Sequence, residues 1–164
     1  MFEHTAFRLE VRTAYAPPYE RESYRKFLAG EPYDLSWMQD WLAMVKGATK
    51  EGRRFTRVRV VGLPLSDYNL WSYVIAQHNI AAGEDIRYLW AERARKEGLP
   101  NYDYWLFDSR KLLRIHFDGS DRFLGGEIIK DAAEIVRHNY WRDVAWHRAV
   151  RQDEFATEGQ SGRP

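Results

Sequence analysis

Hydrophobic and polar residues alternate in several short stretches of the chain, which is the pattern of strands with one polar face. Phe7, Leu9 and Val11 alternate with polar residues near the start. Further strands are predicted over 55–61, 86–90, 104–107, 112–117 and 123–129. The turn at Asp108-Ser109-Arg110 joins two of these strands in a predicted hairpin.

Apolar residues spaced by three and four positions predict helices between these strands. One helix is expected from Glu20 to Gly30 and a second from Ser36 to Gly52. A third follows Ser66, which suits an N-cap. Asp131 is the expected N-cap of the last helix, which is expected to continue to Phe155 as a long C-terminal helix.

Length and composition indicate one domain. The chain has 164 residues, of which 45% are hydrophobic, so it can form a substantial core but would hold two domains only with difficulty. We predict a single α/β domain over residues 1–155, with a mixed sheet of about five strands packed by helices. The small, polar segment 156–164 is expected to be a disordered tail.

The charge balance and the absence of cysteine exclude several classes of function. A formal net charge of +1 argues against direct binding to nucleic acid or to an anionic membrane. Without cysteine there are no disulfides, zinc–thiolate sites or thiol nucleophiles, which fits a reducing compartment. No stretch resembles a membrane span or a signal peptide. We expect a cytoplasmic protein with no structural metal and no cofactor.

Arginines on the predicted strands are candidates for ligand binding. Arg57, Arg59 and Arg87 would project from polar strand faces, where guanidinium groups could bind an anion through paired hydrogen bonds. Cross-strand pairing is the alternative. Its partners would be Glu84, Asp85, Asp103 or Asp108.

Histidines near carboxylates are candidates for acid–base chemistry. His78 precedes Glu84 and Asp85, although a helix end followed by an acidic loop explains the same residues. His116 and Asp118 share one strand face, an arrangement that is also common on exposed sheets. The candidate catalytic residues are therefore His78, His116 and Asp118.

The surroundings of Trp105 can distinguish two kinds of function. Trp105, Glu84 and Asp85 complete the predicted ligand-binding residues with the three arginines. A pocket lined by Trp105, His116 and Arg59 would favour ligand chemistry. A flat, apolar surface would favour a protein partner.

Recognisable short segments are FLAGEP, GRRFTRVRVV, PLSDY, AAGEDIRYL, DYWLFDSR, HFDG, RFLGGEI and WRDVAWHRAV. Together they resemble an actinobacterial family of uncharacterised proteins, and the resemblance covers roughly residues 7–155. The resemblance implies genes that lie beside helix-turn-helix regulators, and hence an accessory role in regulation. It carries over no catalytic residues.

The order of elements also looks like the phospholipase D-like fold, which includes non-catalytic sensor domains. Catalytic members use a His-x-Lys motif, whereas this chain has His116-Phe117-Asp118. The departure argues against phosphodiester hydrolysis. We therefore expect a non-enzymatic accessory protein that binds a helix-turn-helix regulator, a small anionic ligand, or both. The alternative function is that of an enzyme that acts on a small metabolite through histidine and carboxylate chemistry. The chain is also a candidate homodimer.

Overall fold

The computed structural model describes residues 2–12, 14 and 17–160. Seven strands and six α-helices follow one another there, with a 3₁₀ turn at Ser36–Met38. The strands are β1 (Thr5–Glu10), β2 (Arg54–Val61), β3 (Glu84–Trp90), β4 (Tyr104–Phe107), β5 (Lys111–Phe117), β6 (Phe123–Ile129) and β7 (Val150–Arg151). The helices are α1 (Arg21–Leu28), α2 (Gln39–Lys50), α3 (Asp67–Ala82), α4 (Ala91–Lys96), α5 (Ala132–Arg148) and α6 (Gln152–Gln160).

The strands form one mixed sheet in the order β6-β5-β4-β1-β2-β3-β7. Strands β1, β2 and β3 are parallel neighbours, and every other pairing is antiparallel. Parallel neighbours require crossover connections, which here contain α1 and α2 between β1 and β2, and α3 between β2 and β3. The mixed α/β prediction is confirmed, but the sheet has seven strands rather than about five.

Helices cover both faces of the central strands. On the first face, α2 packs Val45 and Ala48 against Ala6 and Phe55. On the second face, Ala145 of α5 joins a core that includes Leu9, Val58, Val60 and Leu106. Side chains alternate between the two faces along each strand, so Arg8, Glu10, Arg57 and Arg59 lie on the first face, beneath α1 to α3.

Two helix starts are fixed by the caps that the sequence predicts. The Ser66 hydroxyl accepts a hydrogen bond from the Asn69 amide at 3.0 Å, and the Asp131 carboxylate accepts one from the Glu134 amide at 2.9 Å. At the end of α3, Gly83 adopts a positive φ of 112°, and a Cβ there would meet the Thr49 Oγ1 at 2.7 Å. This turn therefore requires glycine.

The predicted long C-terminal helix is interrupted. Helix α5 ends at Arg148, Ala149 is extended, and β7 pairs with the open edge of β3 at Tyr88. Backbone hydrogen bonds to that edge outweigh the local preference for a continuous helix. Helix α6 then includes residues 156–160, which the sequence assigns to a disordered tail; residues 161–164 lie outside the described residues. No helix in the described ranges has the length and apolarity to cross a membrane.

Candidate functional site

A cavity of about 340 Å³ lies between the first face of the sheet and the helices above it. Charged side chains of β1 and β2 form its floor, and aromatic side chains from the 3₁₀ turn, α2 and β4 form its walls. The volume falls within the range of small-molecule sites, about 300–1,000 Å³. We refer to this space as the sheet cavity.

Glu10 is the centre of the charged floor. Its Oε2 accepts a hydrogen bond from Arg57 Nη1 at 2.8 Å, and its Oε1 accepts one from Arg59 Nε at 2.9 Å. Arg8 Nε lies 3.7 Å from the same carboxylate. Burial alone would raise the pKa of Glu10, but the guanidinium groups of Arg59, Arg57 and Arg8 outweigh burial and lower this pKa to about 2. Glu10 is therefore ionised throughout the neutral range.

Two more buried carboxylates complete the ion network. Glu84 accepts hydrogen bonds from Arg57 Nε at 2.6 Å and from the Asn79 amide at 2.9 Å. Asp103 accepts one from Arg8 Nη2 at 2.8 Å and one from the Val11 backbone at 2.8 Å. Burial raises the pKa of Asp103, and the charge of Arg8 lowers it by less. We call Arg8, Glu10, Arg57, Arg59, Glu84 and Asp103 the arginine–carboxylate network.

Five aromatic side chains line the sheet cavity: Tyr19, Trp37, Trp41, Tyr68 and Trp105. The rings of Tyr19 and Trp37 are 5.4 Å apart, and those of Trp41 and Trp105 are 6.2 Å apart. The guanidinium of Arg8 lies 5.4 Å from the Trp105 ring centre, a cation–π distance. The walls therefore offer flat apolar surface next to a strongly polar floor.

Glu20 lines the same cavity from the start of α1 and is only 3% exposed. Its Oε1 accepts a hydrogen bond from the Tyr68 hydroxyl at 2.9 Å. In the part of the chain that the structure describes, no lysine or arginine forms an ion pair with it. Burial raises the pKa of Glu20 to about 7, although the Tyr68 hydrogen bond lowers it. Glu20 is therefore an acidic group of the cavity that titrates near neutral pH.

The structure brings three of the predicted ligand-binding residues to the sheet cavity and separates two others from it. Arg57, Arg59 and Trp105 line the cavity, and Glu84 lies behind Arg57. Arg87 and Asp85 lie on the second face of the sheet. There Arg87 stacks on the Trp146 ring at 3.8 Å.

The register between β2 and β3 explains this separation. Arg57 stands opposite Ile86, so the next residue, Arg87, points to the other side of the sheet. The expected patch of three arginines therefore does not form. Arg57 pairs with Glu84, as the cross-strand alternative proposed. The hydrogen bonds of Arg57 and Arg59 go to the protein's own acceptors, so these two side chains are not evidence for an anionic ligand.

The candidate catalytic histidines do not converge. His116 lies on β5, with Nε2 2.8 Å from Glu127, and its side chain is 41% exposed. Asp118 accepts hydrogen bonds from the Ser120 and Arg122 amides and so stabilises the turn before β6. His78 is exposed on α3. Among the described residues, no three His, Asp or Glu side chains are placed to hold a metal ion.

Sequence reasoning missed Glu10, Glu20, Trp37 and Trp41 as site residues. Glu10 continues the alternation of β1, so a charged side chain on the polar side of a strand was an available signal. The position of Glu20 is that of an ordinary acidic residue in a first helical turn. Trp37 and Trp41 fit the spacing of a buried helix stripe, and nothing in the sequence shows that a cavity adjoins that stripe.

Comparison with known proteins places the chain in a family. A protein-family model described as Domain of unknown function (DUF6879) matches residues 1–157. The chain belongs to the DUF6879 family. Membership confirms the resemblance to a family of uncharacterised proteins and covers both the sheet cavity and the hairpin of β5 and β6.

Neither the curated proteins nor the solved structures gave a match to this chain. The DUF6879 description names no activity and no ligand. The sheet cavity and the surfaces around it are therefore the features that bear on function.

Proposed function

We propose that this DUF6879 protein is a non-enzymatic accessory protein that binds a small organic molecule in the sheet cavity. The main observation in support is the cavity itself, in which aromatic walls adjoin a buried, hydrogen-bonded ion network. Binding sites for small molecules combine apolar walls with a few fixed polar groups in this way. The arginine–carboxylate network holds those polar groups in place before a ligand arrives.

An unused hydrogen-bond donor supports the proposal. The indole Nε1 of Trp37 is buried, and it has no hydrogen-bond partner among the residues that the structure describes. Trp37 lines the sheet cavity. A buried donor without an acceptor costs about 1–3 kcal/mol, and an acceptor atom on a ligand or a water would remove that cost.

Binding accounts for the cavity better than catalysis by the predicted histidines does. His78 and His116 lie away from it, and its arginines already have carboxylate partners. The rival proposal, an enzyme that acts on a small metabolite, has one supporting observation. Glu20 has a pKa of about 7, which suits a general acid or base at neutral pH. An acid–base role would therefore belong to Glu20 rather than to histidine.

A separate surface suits a protein partner. Phe123, Leu124 and Ile128 of β6 are exposed large hydrophobic residues, and β6 is an edge strand. Exposed apolar side chains next to an open edge are typical of interaction surfaces. The family resemblance suggests a helix-turn-helix regulator in the cytoplasm as the partner. The alternative partner is a second copy of the chain. The phospholipase D-like likeness adds no support, because no solved structure matched.

Ligand binding can be tested with a metabolite collection, a thermal-shift screen and calorimetric titration of the hits. Trp41→Ala removes one wall of the sheet cavity. Trp141→Ala is the matched control, a half-buried tryptophan on α5 that packs against His138. We expect a hit that stabilises the wild type and the control, and that binds Trp41→Ala at least tenfold more weakly. A screen without hits, or hits that bind both variants equally, would contradict the proposed function.

A further inference from the structure

The charges inside the sheet cavity are unevenly matched. Arg57 and Arg59 both donate to Glu10, Arg57 also donates to Glu84, and Arg59 Nη1 donates to the Ser72 carbonyl at 2.8 Å. A ligand anion would have to displace one of these buried acceptors. Breaking a buried ion pair is strongly unfavourable, so the arginines are poor receptors for an additional anion.

Glu20 is in the opposite situation. It is as buried as the network carboxylates, yet the donors that act on it are neutral, the hydroxyl of Tyr68 and the indole of Trp71. Its side chain does not cap α1, so the helix does not use the carboxylate either. A buried carboxylate is stable when a cation accompanies it. Within the described residues, the protein supplies no cation in direct contact with Glu20.

The walls of the cavity favour the same type of ligand. Tyr19, Trp37 and Trp41 line the space that Glu20 also lines. The faces of Trp and Tyr rings attract cations, and several such rings together are a recurrent way to bind ammonium groups. Aromatic rings also supply apolar contact for the body of an organic molecule.

We propose that the sheet cavity binds an organic cation, a protonated amine or quaternary ammonium compound, whose charge lies against Glu20 and whose apolar body contacts Trp37 and Trp41. This inference rests on the proposed function, because it names the class of molecule that the cavity binds. The negative charge of Glu20 and the aromatic faces act on the same ligand, so the site favours molecules that combine a positive charge with apolar surface.

The proposal has a definite pH dependence. The charged and titratable groups around the carboxyl of Glu20 are Tyr68, Glu10, Arg59, Tyr24 and Asp67. Glu20 itself has a pKa of about 7. A cation binds its ionised form, which rises from about one tenth of molecules at pH 6 to about nine tenths at pH 8. Affinity for a permanent cation should therefore increase about tenfold over this interval, whereas an anionic ligand would show the opposite trend.

The test uses three aromatic probes that differ in charge: benzyltrimethylammonium, benzyl alcohol and phenylacetate. None of them changes its charge between pH 6 and pH 8, so any pH dependence comes from the protein. Calorimetric titration of the full chain should show the tightest binding for benzyltrimethylammonium, tightening about tenfold from pH 6 to pH 8. Repeating the titration in buffers with different ionisation enthalpies should show proton release at pH 6.

Two variants and a matched control tie this dependence to Glu20. Glu20→Gln should weaken binding of the cation at pH 8 at least tenfold and abolish the pH dependence. Glu22→Gln, an exposed carboxylate on the same helix, is the matched control and should behave as the wild type does. Tyr68→Phe removes a hydrogen bond that lowers the pKa of Glu20, so the midpoint of the pH dependence should move to higher pH.

The outcomes separate the ligand class from the proposed function. Equal cation affinity in Glu20→Gln and wild type, or tighter binding of phenylacetate that Trp41→Ala weakens, would overturn the cation while leaving a ligand cavity in place. Failure of all three probes, together with a metabolite hit that depends on Trp41, would do the same. Failure of the probes and of the metabolite screen would overturn both proposals.

Discussion

Replacing Glu10 with glutamine should destabilise the protein at neutral pH by about 3 kcal/mol. The substitution keeps the size of the side chain but removes the charge that Arg57 and Arg59 share. One amide oxygen can still accept a hydrogen bond, whereas the new NH₂ group would face a guanidinium donor. Two buried arginines would then lose part of their charge compensation.

The magnitude follows from the pKa of Glu10. Folding lowers it from 4.5 to about 2, and each pKa unit corresponds to about 1.4 kcal/mol, so the ionised form contributes about 3 kcal/mol. The Glu10 side chain is 13% exposed, so solvent screens the interaction only slightly. Because the folded pKa is lowered, this contribution is complete above about pH 4.5 and is lost as the pH falls towards 2.

Thermal and urea denaturation, followed by tryptophan fluorescence, can measure the effect at pH 7. For a chain of this length, about 3 kcal/mol corresponds to a decrease in Tm of roughly 6–12 °C. Glu51→Gln is the matched control, because Glu51 is 63% exposed and pairs with Arg53 at 2.6 Å. An exposed ion pair contributes less than about 1 kcal/mol, so this control should change stability little.

The shape of the pH dependence provides a second check. The difference in stability between Glu10→Gln and the wild type should narrow as the pH falls from 5 to 3, because the carboxyl of the unfolded wild type gains a proton in this range while the folded one stays largely charged. A Glu10→Gln protein as stable as Glu51→Gln at pH 7, or a deficit that stays constant down to pH 3, would refute the argument that Glu10 holds the buried arginines in place.

Substitutions at three other positions test further interactions of buried or capping groups. Glu20→Gln should stabilise the protein by up to about 3 kcal/mol at pH 8 and by nothing near pH 4.5, because the raised pKa of about 7 makes ionisation of Glu20 in the folded state costly as the pH rises. Urea denaturation at both pH values would measure this, and equal stability of the variant and the wild type at pH 8 would contradict it. Asp108→Ala should lower the free energy of unfolding by about 1–2 kcal/mol and speed hydrogen exchange at residues 3–5, because the Asp108 carboxylate accepts hydrogen bonds from three consecutive backbone amides at 2.7–2.9 Å and the residue has a positive φ of 50°. Asp108→Asn should lose less stability. Unchanged exchange in the alanine variant would refute the role of Asp108 in holding these amides. Tyr102→Phe should lower the free energy of unfolding at pH 7 by about 1–2 kcal/mol, as urea denaturation would measure. The reason is that His138 Nδ1 donates to the Glu134 carbonyl, which leaves Nε2 to accept a hydrogen bond from the Tyr102 hydroxyl at 2.9 Å. A variant as stable as the wild type would contradict this assignment of the His138 tautomer.

Local sequence signals predicted the fold where local interactions decide it. The alternation over 55–61 and the caps Ser66 and Asp131 appear in the structure as expected. The short strand β7 could not be predicted, because its two residues lie within a helical pattern and form a strand only through pairing with β3. Its existence depends on an edge that is about 60 residues away along the chain.

The site was less predictable, because it depends on strand register. Alternation correctly placed Arg57 and Arg59 on one face, but Arg87 was assigned to the same site although it faces the other side of the sheet. The partner of both arginines, Glu10, is 47 residues before Arg57. No local pattern indicates which strand will lie beside which, or at what offset.

The ion network also determines the alignment of β1 against β2. Glu10 stands opposite Arg59 in this parallel pair, whose backbone hydrogen bonds would be nearly equivalent at a neighbouring offset. A shift of one residue would turn Glu10 towards the apolar side that contains Leu9 and Val58, and it would leave both arginines under the helices without their shared carboxylate. Each buried, unpaired charge costs several kcal/mol, so electrostatics opposes the misaligned sheet in addition to the loss of apolar packing. Substitutions that neutralise Glu10 should consequently admit alternative strand offsets as well as lower the stability.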